Sequence, residues 1–545
     1  MKPLALLLIC IPSFLGVYAQ QKMVAVQSVK RPRLVVGLVV DQMRWDFLYR
    51  YNERYSAGGF KRLMAQGFSC ENTMIPYLPT YTAVGHTSIY TGSVPAIHGI
   101  IGNYWFDKSS NLTVYCSDDS TVSGVGSSTP AGKMSPRNMW TTTITDELRL
   151  SNQFQSKVIG ISLKDRGAIF PAGHSANAAY WYDDAVGKWI SSTYYMTSLP
   201  SWVNAFNDRG LPASYMTNDW NTLYPIESYS MSTADDVPYE TPIKGEKTAT
   251  FPHRLADLKE NKYQAFRYTP YSNTYSLEFA KSAIRNEQLG QGKVTDFLAI
   301  SLSAPDYIGH EFGPNSIEIE DTYLRLDRDI SAFLTYLDQT IGKGNYLFFL
   351  SADHGVAHSP GFLADNKIPA GSYNVNKLVK TINDSIEAGF GFKKVVQKID
   401  NYQVYLNLAA VEKQGINTNT VLRAVCTLLK NEPYIVQAVE TAGLPQSSLP
   451  PMIRSMAENG YCPSRSGDIQ MIIKPGYLDR VKGTTHGLWN PYDAHIPLVW
   501  FGWGIKKGST HRETYMTDIA ATLAALLKIQ MPNGSVGKVI TEVIK

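Results

Sequence analysis

Four apolar runs in this sequence each lead into residues able to bind a metal ion or an anion. Leu34 to Val40 (LVVGLVV) stops at Asp41, and Lys157 to Ser162 leads into Lys164-Asp165-Arg166. Asp296 to Leu302 leads into Asp306 and His310, and Tyr346 to Ser351 into Asp353-His354-Gly355. A single Asp after a strand is more often a helix cap or turn residue. Four such endings are better explained by one site, because open α/β sheets bind ligands beyond the carboxyl ends of their strands. Asp306 and His310 are four residues apart and share a face of one helical turn. Asp353 and His354, adjacent in a turn, can be aimed at one point by irregular backbone. With Asp41 and a further His, these side chains suffice for two zinc sites, each with an open position. Carboxylate and imidazole without thiolate suit a catalytic metal more than a structural one.

Three further features could handle an anion at such a centre. The segment Pro79 to Gly92 (PTYTAVGHTSIYTG) places Thr82 directly before a helical pattern. A helix N-terminus offers free N–H groups to an anion, and a Thr there could act as a metal-activated nucleophile. Taken alone, it is more simply an N-cap. Asn103, in the Gly-flanked turn HGIIGNYW, could present its amide to an oxyanion. Lys164 and Arg166, two apart, would project to one side of an extended backbone and form a cationic clamp for phosphate oxygens.

The elements needed to position these residues are legible in the hydrophobic pattern. The four runs, with Ile496 to Phe501 as a fifth, read as fully buried parallel strands. Between them, Tyr323, Leu326, Ile330, Phe333 and Leu337 form one apolar stripe of a helix over Ile319 to Asp338. Trp140 to Leu150, Tyr275 to Asn286 and Tyr515 to Lys528 also read as helices. Strands alternating with amphipathic helices predict an α/β fold with a central, mostly parallel sheet sandwiched by helices. Two segments break the rhythm. Tyr180 to about Tyr268, rich in Trp, Tyr, Ser and Asn, predicts ordered loops, and Phe362 to about Lys482 predicts a small α+β insertion.

The chain has 545 residues, 44% of them apolar, which excludes global disorder. Charged residues are 18%, and 51 Lys+Arg against 47 Asp+Glu leave a net charge of +4. Such a balance gives no argument for a nucleic-acid partner. The first 19 residues, with Lys2, an apolar stretch from Leu4 to Val17 and a Val17-Tyr18-Ala19 cleavage pattern, read as a signal peptide. The stretch is shorter than the roughly 20 apolar residues that span a bilayer. The mature chain is therefore expected to be exported, to the periplasm or beyond, and not to be held in a membrane. Cys70, Cys116, Cys426 and Cys462 remain in it. An even number in an exported chain predicts two disulfides, with Cys70–Cys116 and Cys426–Cys462 the economical pairing.

The order Asp41, Thr82, Asp306, His310, Asp353-His354-Gly355 and Thr485-His486-Gly487 resembles the alkaline phosphatase superfamily of two-zinc hydrolases. The resemblance spans most of the mature chain, about residues 30–545, with the two segments above as insertions in one catalytic domain. The Thr82 segment, Asn103 and the Lys164/Arg166 pair resemble the phosphate-irrepressible, single-chain periplasmic members with a Thr nucleophile. That resemblance implies one zinc held by Asp306, His310 and His486, and a second held by Asp41, Asp353 and His354 with the Thr82 oxygen. It implies phosphoryl contacts from Asn103, Lys164 and Arg166, a phospho-Thr82 intermediate, and no magnesium. It further implies a monomer with broad specificity for small phosphate monoesters, releasing inorganic phosphate. His86, His98, His174, His253, His358, His495 and His511 match no ligand role and read as structural or surface residues.

The nearest rival is a phosphodiesterase or nucleotide pyrophosphatase, which shares the metal ligands and the Thr but not the Lys/Arg clamp. A sulfatase would need a C/S-x-P-x-R motif, which Ser93-Val-Pro95-Ala-Ile97 lacks. A binding module that merely keeps the fold would explain the Tyr- and Trp-rich loops but not the four strand endings.

Overall fold

The computed structural model describes residues 30–545. The leader reading of residues 1–19 lies outside them. In chain order, the strands that matter for the site are β1 (Leu34–Val40), β2 (Phe68–Met74), β3 (Val158–Ser162), β4 (Ala178–Asp183), β5 (Lys188–Ser192), β6 (Asp296–Leu302), β7 (Tyr346–Ser351), β8 (Val396–Asp400), β9 (Gln403–Leu406), β10 (Ile435–Glu440), β11 (Ile469–Ile473) and β12 (His495–Gly502). An 11-stranded sheet runs through the molecule with β2, β12, β7, β1, β6, β3, β4 and β5 side by side.

The centre of this sheet, β7-β1-β6-β3-β4, is parallel. Every residue of β1, β3, β6 and β7 is buried, as expected for strands covered on both faces. All four parallel strands that lead into candidate site residues therefore end on one edge of the sheet. The expectation for β12 is corrected: it runs antiparallel to both β7 and β2. A doubly covered strand reads as the same apolar run in either direction, so its pattern carries no polarity. The sheet is mixed, with a parallel centre and antiparallel flanks.

Helices cover both faces. The helix α4 (Ile317–Leu337) has its start fixed by Ser316, whose side chain accepts the Ile319 N–H. Its stripe of Tyr323, Leu326, Ile330, Phe333 and Leu337 is fully buried, each such side chain stabilising the fold by about 1.5–3 kcal/mol. The helix expected from Trp140 begins only at Ile144, because Thr143 forms a capping box with Asp146. The segment after Tyr180 is not loop throughout: β4 and β5 form a hairpin that extends the main sheet.

A second, four-stranded sheet has the order β8-β9-β11-β10. It is covered by the helices Val375–Phe390 and Thr418–Lys430, and Leu378, Ile382, Val404, Val425, Leu429 and Ile469 form a core of its own. Residues 32–545 nonetheless form one compact unit.

The expected disulfides are corrected as well. Cys70, Cys116, Cys426 and Cys462 are all free and buried. Cys70 lies in the main core, Cys426 in the core of the small sheet, and Cys116 and Cys462 in a third cluster with Trp105 and Trp181. Neither expected pair shares a cluster. Burial pushes the Cys70 thiol up to about 12 and the Cys426 thiol up to about 11, so both are inert despite being unpaired.

The helix α1 (Thr82–Thr91) is buried over its whole length. It lies so close to the turn after β7 that a Cβ on Gly85 would run into the Asp353 carbonyl. An Ala in an unconstrained helix is worth about 1 kcal/mol over Gly. Here the obstacle is backbone, so Gly85→Ala is expected to lower Tm in thermal denaturation. For the cysteines, a thiol reagent added to the chain lacking its first 29 residues, unfolded without reductant, is expected to count four thiols.

Candidate active site

The residues singled out by type and spacing converge at the carboxyl end of the parallel strands. Asp41 follows β1, and Asp353 and His354 follow β7. Asp306 and His310 sit four apart on α3 (Ala304–Phe312), which starts two residues after β6. His486 arrives on the loop that precedes β12. Asp41, Asp306, Asp353, His354 and His486 are all buried.

The three imidazoles are oriented in the same way. Each Nδ1 lies on a backbone carbonyl: His310 on Thr484 at 2.9 Å, His354 on Gly355 at 3.0 Å, and His486 on Thr80 at 2.7 Å. A carbonyl can only accept, so each Nδ1 carries a proton. Burial pushes His354 down to about 3 and also lowers His486, which leaves their Nε2 atoms as acceptors. Yet those atoms face carboxylate oxygens. His310 Nε2 and His486 Nε2 lie 3.2 and 3.5 Å from the same Asp306 Oδ1. His354 Nε2 lies 3.5 Å from Asp41 Oδ1 and 3.4 Å from Asp353 Oδ2.

Asp41 Oδ1 and Asp353 Oδ2 are buried and accept no hydrogen bond, although buried polar atoms normally have partners. Lone pairs facing lone pairs are stable only around added positive charge. Two groups have ligand atoms close enough to hold one ion each: Asp41, Asp353 and His354, and Asp306, His354 and His486. The first is the expected set. In the second, His354 stands where His310 was expected, while His310 meets the same Asp306 oxygen. The donor chemistry, nitrogen and carboxylate oxygen without sulfur, fits zinc.

The chain supplies one ammonium to this cavity. Lys164 Nζ bonds Asp41 Oδ2 at 2.6 Å and Asp306 Oδ2 at 2.5 Å, and lies 3.5 Å from Thr82 Oγ1. Burial works against its charge, but Asp306 and Asp41 outweigh that and hold its pKa above the ordinary lysine value. Among the carboxyls, burial raises Asp41, while Lys164 and His310 hold Asp306 below the usual range despite burial.

Thr82 is the first residue of α1, after the N-cap Tyr81, and makes no side-chain cap. Its hydroxyl instead lies 3.4 Å from His354 Nε2. The cap is supplied by Asn103, whose Oδ1 accepts the Ala83 N–H at 3.0 Å. That bond fixes the amide flip and turns the Nδ2 donors away from the helix end.

Lys164, the N-cap of α2 (Asp165–Ala172), keeps extended backbone, but Arg166 lies in the first turn of the helix, so the two are not alternate residues of one strand. Arg166 reaches Tyr115 OH at 3.0 Å, and its Nε is buried without a partner.

Several contributors had no sequence signal. Gln42 has φ 65°, takes Asp353 Oδ1 on its backbone N–H at 3.1 Å, and donates its side-chain amide to Asp306 Oδ1 at 2.7 Å. Tyr115 donates to Asp165 at 2.5 Å while bonding Arg166. Lys164 sits over the Tyr307 ring at 5.0 Å. His86, read as structural, is buried under the site. Its Nδ1 lies 2.9 Å from the Thr82 carbonyl, its Nε2 2.8 Å from Ser301 Oγ, and its Nδ1 also 3.3 Å from Asp353 Oδ2. It supports Thr82 and Asp353 from below. Each role depends on contacts between distant segments, which no local pattern records.

Known proteins place this architecture. The type I phosphodiesterase / nucleotide pyrophosphatase family matches residues 35–488. A protein named calcium-transporting ATPase, from Myroides odoratus, is 54% identical over 527 residues, 96% of each chain. Alkaline phosphatase PhoV from Synechococcus elongatus is 53% identical, covering 95% of this chain and 94% of its own. Alkaline phosphatase PafA from Elizabethkingia meningoseptica is 51% identical over 97% and 98%. The crystal structure of wild-type PafA superposes with a TM-score of 0.93, covering 95% of this chain and all of that one. Carrying this match over most of its length, the chain belongs to the type I phosphodiesterase / nucleotide pyrophosphatase family and groups with its alkaline phosphatases.

Proposed function

We propose that the protein is an alkaline phosphatase that hydrolyses small phosphate monoesters with two zinc ions and a phospho-Thr82 intermediate. The observation that carries this reading is the convergence of three carboxylates and three imidazole Nε2 atoms beside a hydroxyl at a helix N-terminus. Asp41, Asp353 and His354 would hold one zinc beside Thr82, and Asp306, His310 and His486 the other. Bound zinc would supply Lewis acidity, lowering the pKa of a hydroxyl and stabilising negative charge on the reacting oxygens.

The chain's own groups do the rest. Thr82 Oγ1 attacks phosphorus in line, the ester P–O bond breaks, and the alcohol leaves with a proton. The Lys164 ammonium, 3.5 Å away, favours the ionised hydroxyl. The positive end of α1 and the Asn103 carboxamide, held beside Thr82 by its bond to the Ala83 N–H, would meet the oxygens of the transferred group. Arg166, braced by Tyr115, offers a two-pronged donor set to the same oxygens. Water then cleaves the Thr82 phosphoester, releasing inorganic phosphate and regenerating the hydroxyl.

A solved variant of PafA carries replacements at one Thr, one Asn, one Lys and one Arg. These are the residue types of Thr82, Asn103, Lys164 and Arg166, in the same chain order. The ATPase name of the Myroides odoratus relative fits the same chemistry, because the terminal phosphoryl group of ATP is doubly charged, as in a monoester. Among the described residues no helix is long and apolar enough to cross a membrane. We take the mature enzyme to be an exported monomer, the export resting on the charge, apolar stretch and cleavage pattern of residues 1–19.

Metal analysis of the purified protein is expected to find two zinc ions per chain. Chelation should abolish hydrolysis of an aryl phosphate until zinc is restored. In the metal-loaded protein, Thr82→Ala should cost about 1,000-fold or more in kcat/KM, while Thr82→Ser keeps part of the activity. Full activity in Thr82→Ala would place the nucleophile elsewhere. The family also contains phosphodiesterases, and Lys164 with Arg166 is the feature that selects the doubly charged monoester. Replacing both by Ala should reduce kcat/KM for an aryl monoester more than for a matched diester, and equal losses would overturn that selection.

A further inference from the structure

The turn between β8 and β9 belongs to the small sheet, whose core is separate from that of the main sheet. Its two residues, Asn401 and Tyr402, nevertheless lie against the supports of the active site. Both have positive φ, 53° and 59°. A tight hairpin of this kind favours Asn at the first position but Gly at the second. A Tyr in the left-handed region is an outlier that local preference does not explain, and such strain concentrates at functional sites.

The contacts of the turn show what it touches. Asn401 is 6% exposed and donates its side-chain amide to the Tyr104 carbonyl at 2.7 Å. The same amide packs on Gly102 so closely that a Cβ there would meet Oδ1 at 2.5 Å and Nδ2 at 2.6 Å. Asn401 thus grips the residues immediately before and after Asn103. Tyr402 seats the turn: its hydroxyl donates to the His486 carbonyl at 3.1 Å, and its ring stacks on Tyr81, the neighbour of Thr82, at 6.3 Å.

We propose that Asn401 is a positioning residue for phosphoryl transfer: by holding Gly102 and Tyr104, it sets the Asn103 carboxamide over Thr82. This rests on the reading of Asn103 as a phosphoryl contact. Asn103 has one anchor of its own side chain, the Ala83 N–H, which leaves rotation about that bond to be fixed by its backbone. That backbone is held on one side by the Cys116 N–H, which donates to the Asn103 carbonyl at 3.0 Å, and the grip of Asn401 on both flanking residues adds the restraint from the small sheet.

The test is a double-mutant cycle in the zinc-loaded enzyme with an aryl phosphate. Asn401→Gly tolerates the positive φ and removes the amide. It is expected to lower kcat/KM about 10-fold, the scale of one lost hydrogen bond, with unchanged zinc content. Asn103→Ala is expected to lower kcat/KM by at least as much, and the double variant to lose no more than Asn103→Ala alone. Should Asn401→Gly fail to fold by circular dichroism, Asn401→Asp, which keeps the shape and loses the donors, takes its place with the same expected result. Wild-type kcat/KM in the Asn401 variant, or losses that multiply in the double variant, would overturn the proposal. An Asn103→Ala enzyme with wild-type kcat/KM would instead overturn the reading of Asn103, and the proposal with it.

Discussion

Three carboxylates and three imidazoles that face one another at one end of the sheet are the constraint on which the rest of the structure turns. Ionised groups taken out of water are tolerated only when they are paired. Asp41, Asp306 and Asp353 share one ammonium, Lys164, which bonds the first two. Burial keeps His354 and His486 neutral, and their Nδ1 protons are committed to backbone carbonyls. The chain's own positive charge falls short there, and divalent cations are the chemistry that closes the gap.

Such a cluster repels itself and must be held by elements that cannot relax. The parallel centre of the sheet provides them. Asp41, Asp353 and the helix bearing Asp306 and His310 leave adjacent strands, β1, β7 and β6, whose hydrogen-bond ladders run unbroken to the site. Within β1, the strand between the other two, Gly37 admits the Tyr90 hydroxyl and the Phe349 ring, which a Cβ would meet at 2.5 and 2.6 Å. The same helix that carries Thr82 thereby sends Tyr90 into the sheet, so Thr82 and the strands that lead into Asp41 and Asp353 are packed as one body. His86, on that helix, reaches both the Thr82 carbonyl and Asp353.

What was legible in the sequence follows from how local each signal is. Buried parallel strands announce themselves as apolar runs, and a functional residue at a strand end stands out against them, so Asp41, Asp306, His310, Asp353 and His354 could be singled out. Thr82 and Asn103 were visible through the helix start and the Gly-flanked turn. That Asn103, and not Thr82, caps the helix was not visible, because the cap comes from 20 residues away. The direction of β12 was hidden because burial on both faces erases the alternation that polarity could be read from. The disulfide expectation failed for a related reason. Parity and compartment speak about thiols in general, whereas pairing needs proximity, and Cys70 and Cys426 lie in different cores from their expected partners.

The small sheet shows why an insertion between strands need not be a passive cover. Its own core fixes the direction in which the β8–β9 turn points, independently of the main sheet. The left-handed Tyr402 costs on the order of 1–3 kcal/mol, and that strain persists only where surrounding contacts outweigh it. Those contacts are the His486 carbonyl and the Tyr81 ring, one on the loop before β12 and the other next to Thr82. Gly487, at φ 120°, completes the fit, since a Cβ there would meet both Tyr402 and Tyr81. Two cores are therefore registered against each other through residues that touch the His486 loop and the neighbour of Thr82. The geometry at Thr82 is set by the packing of the whole 32–545 unit, and not by the parallel strands alone.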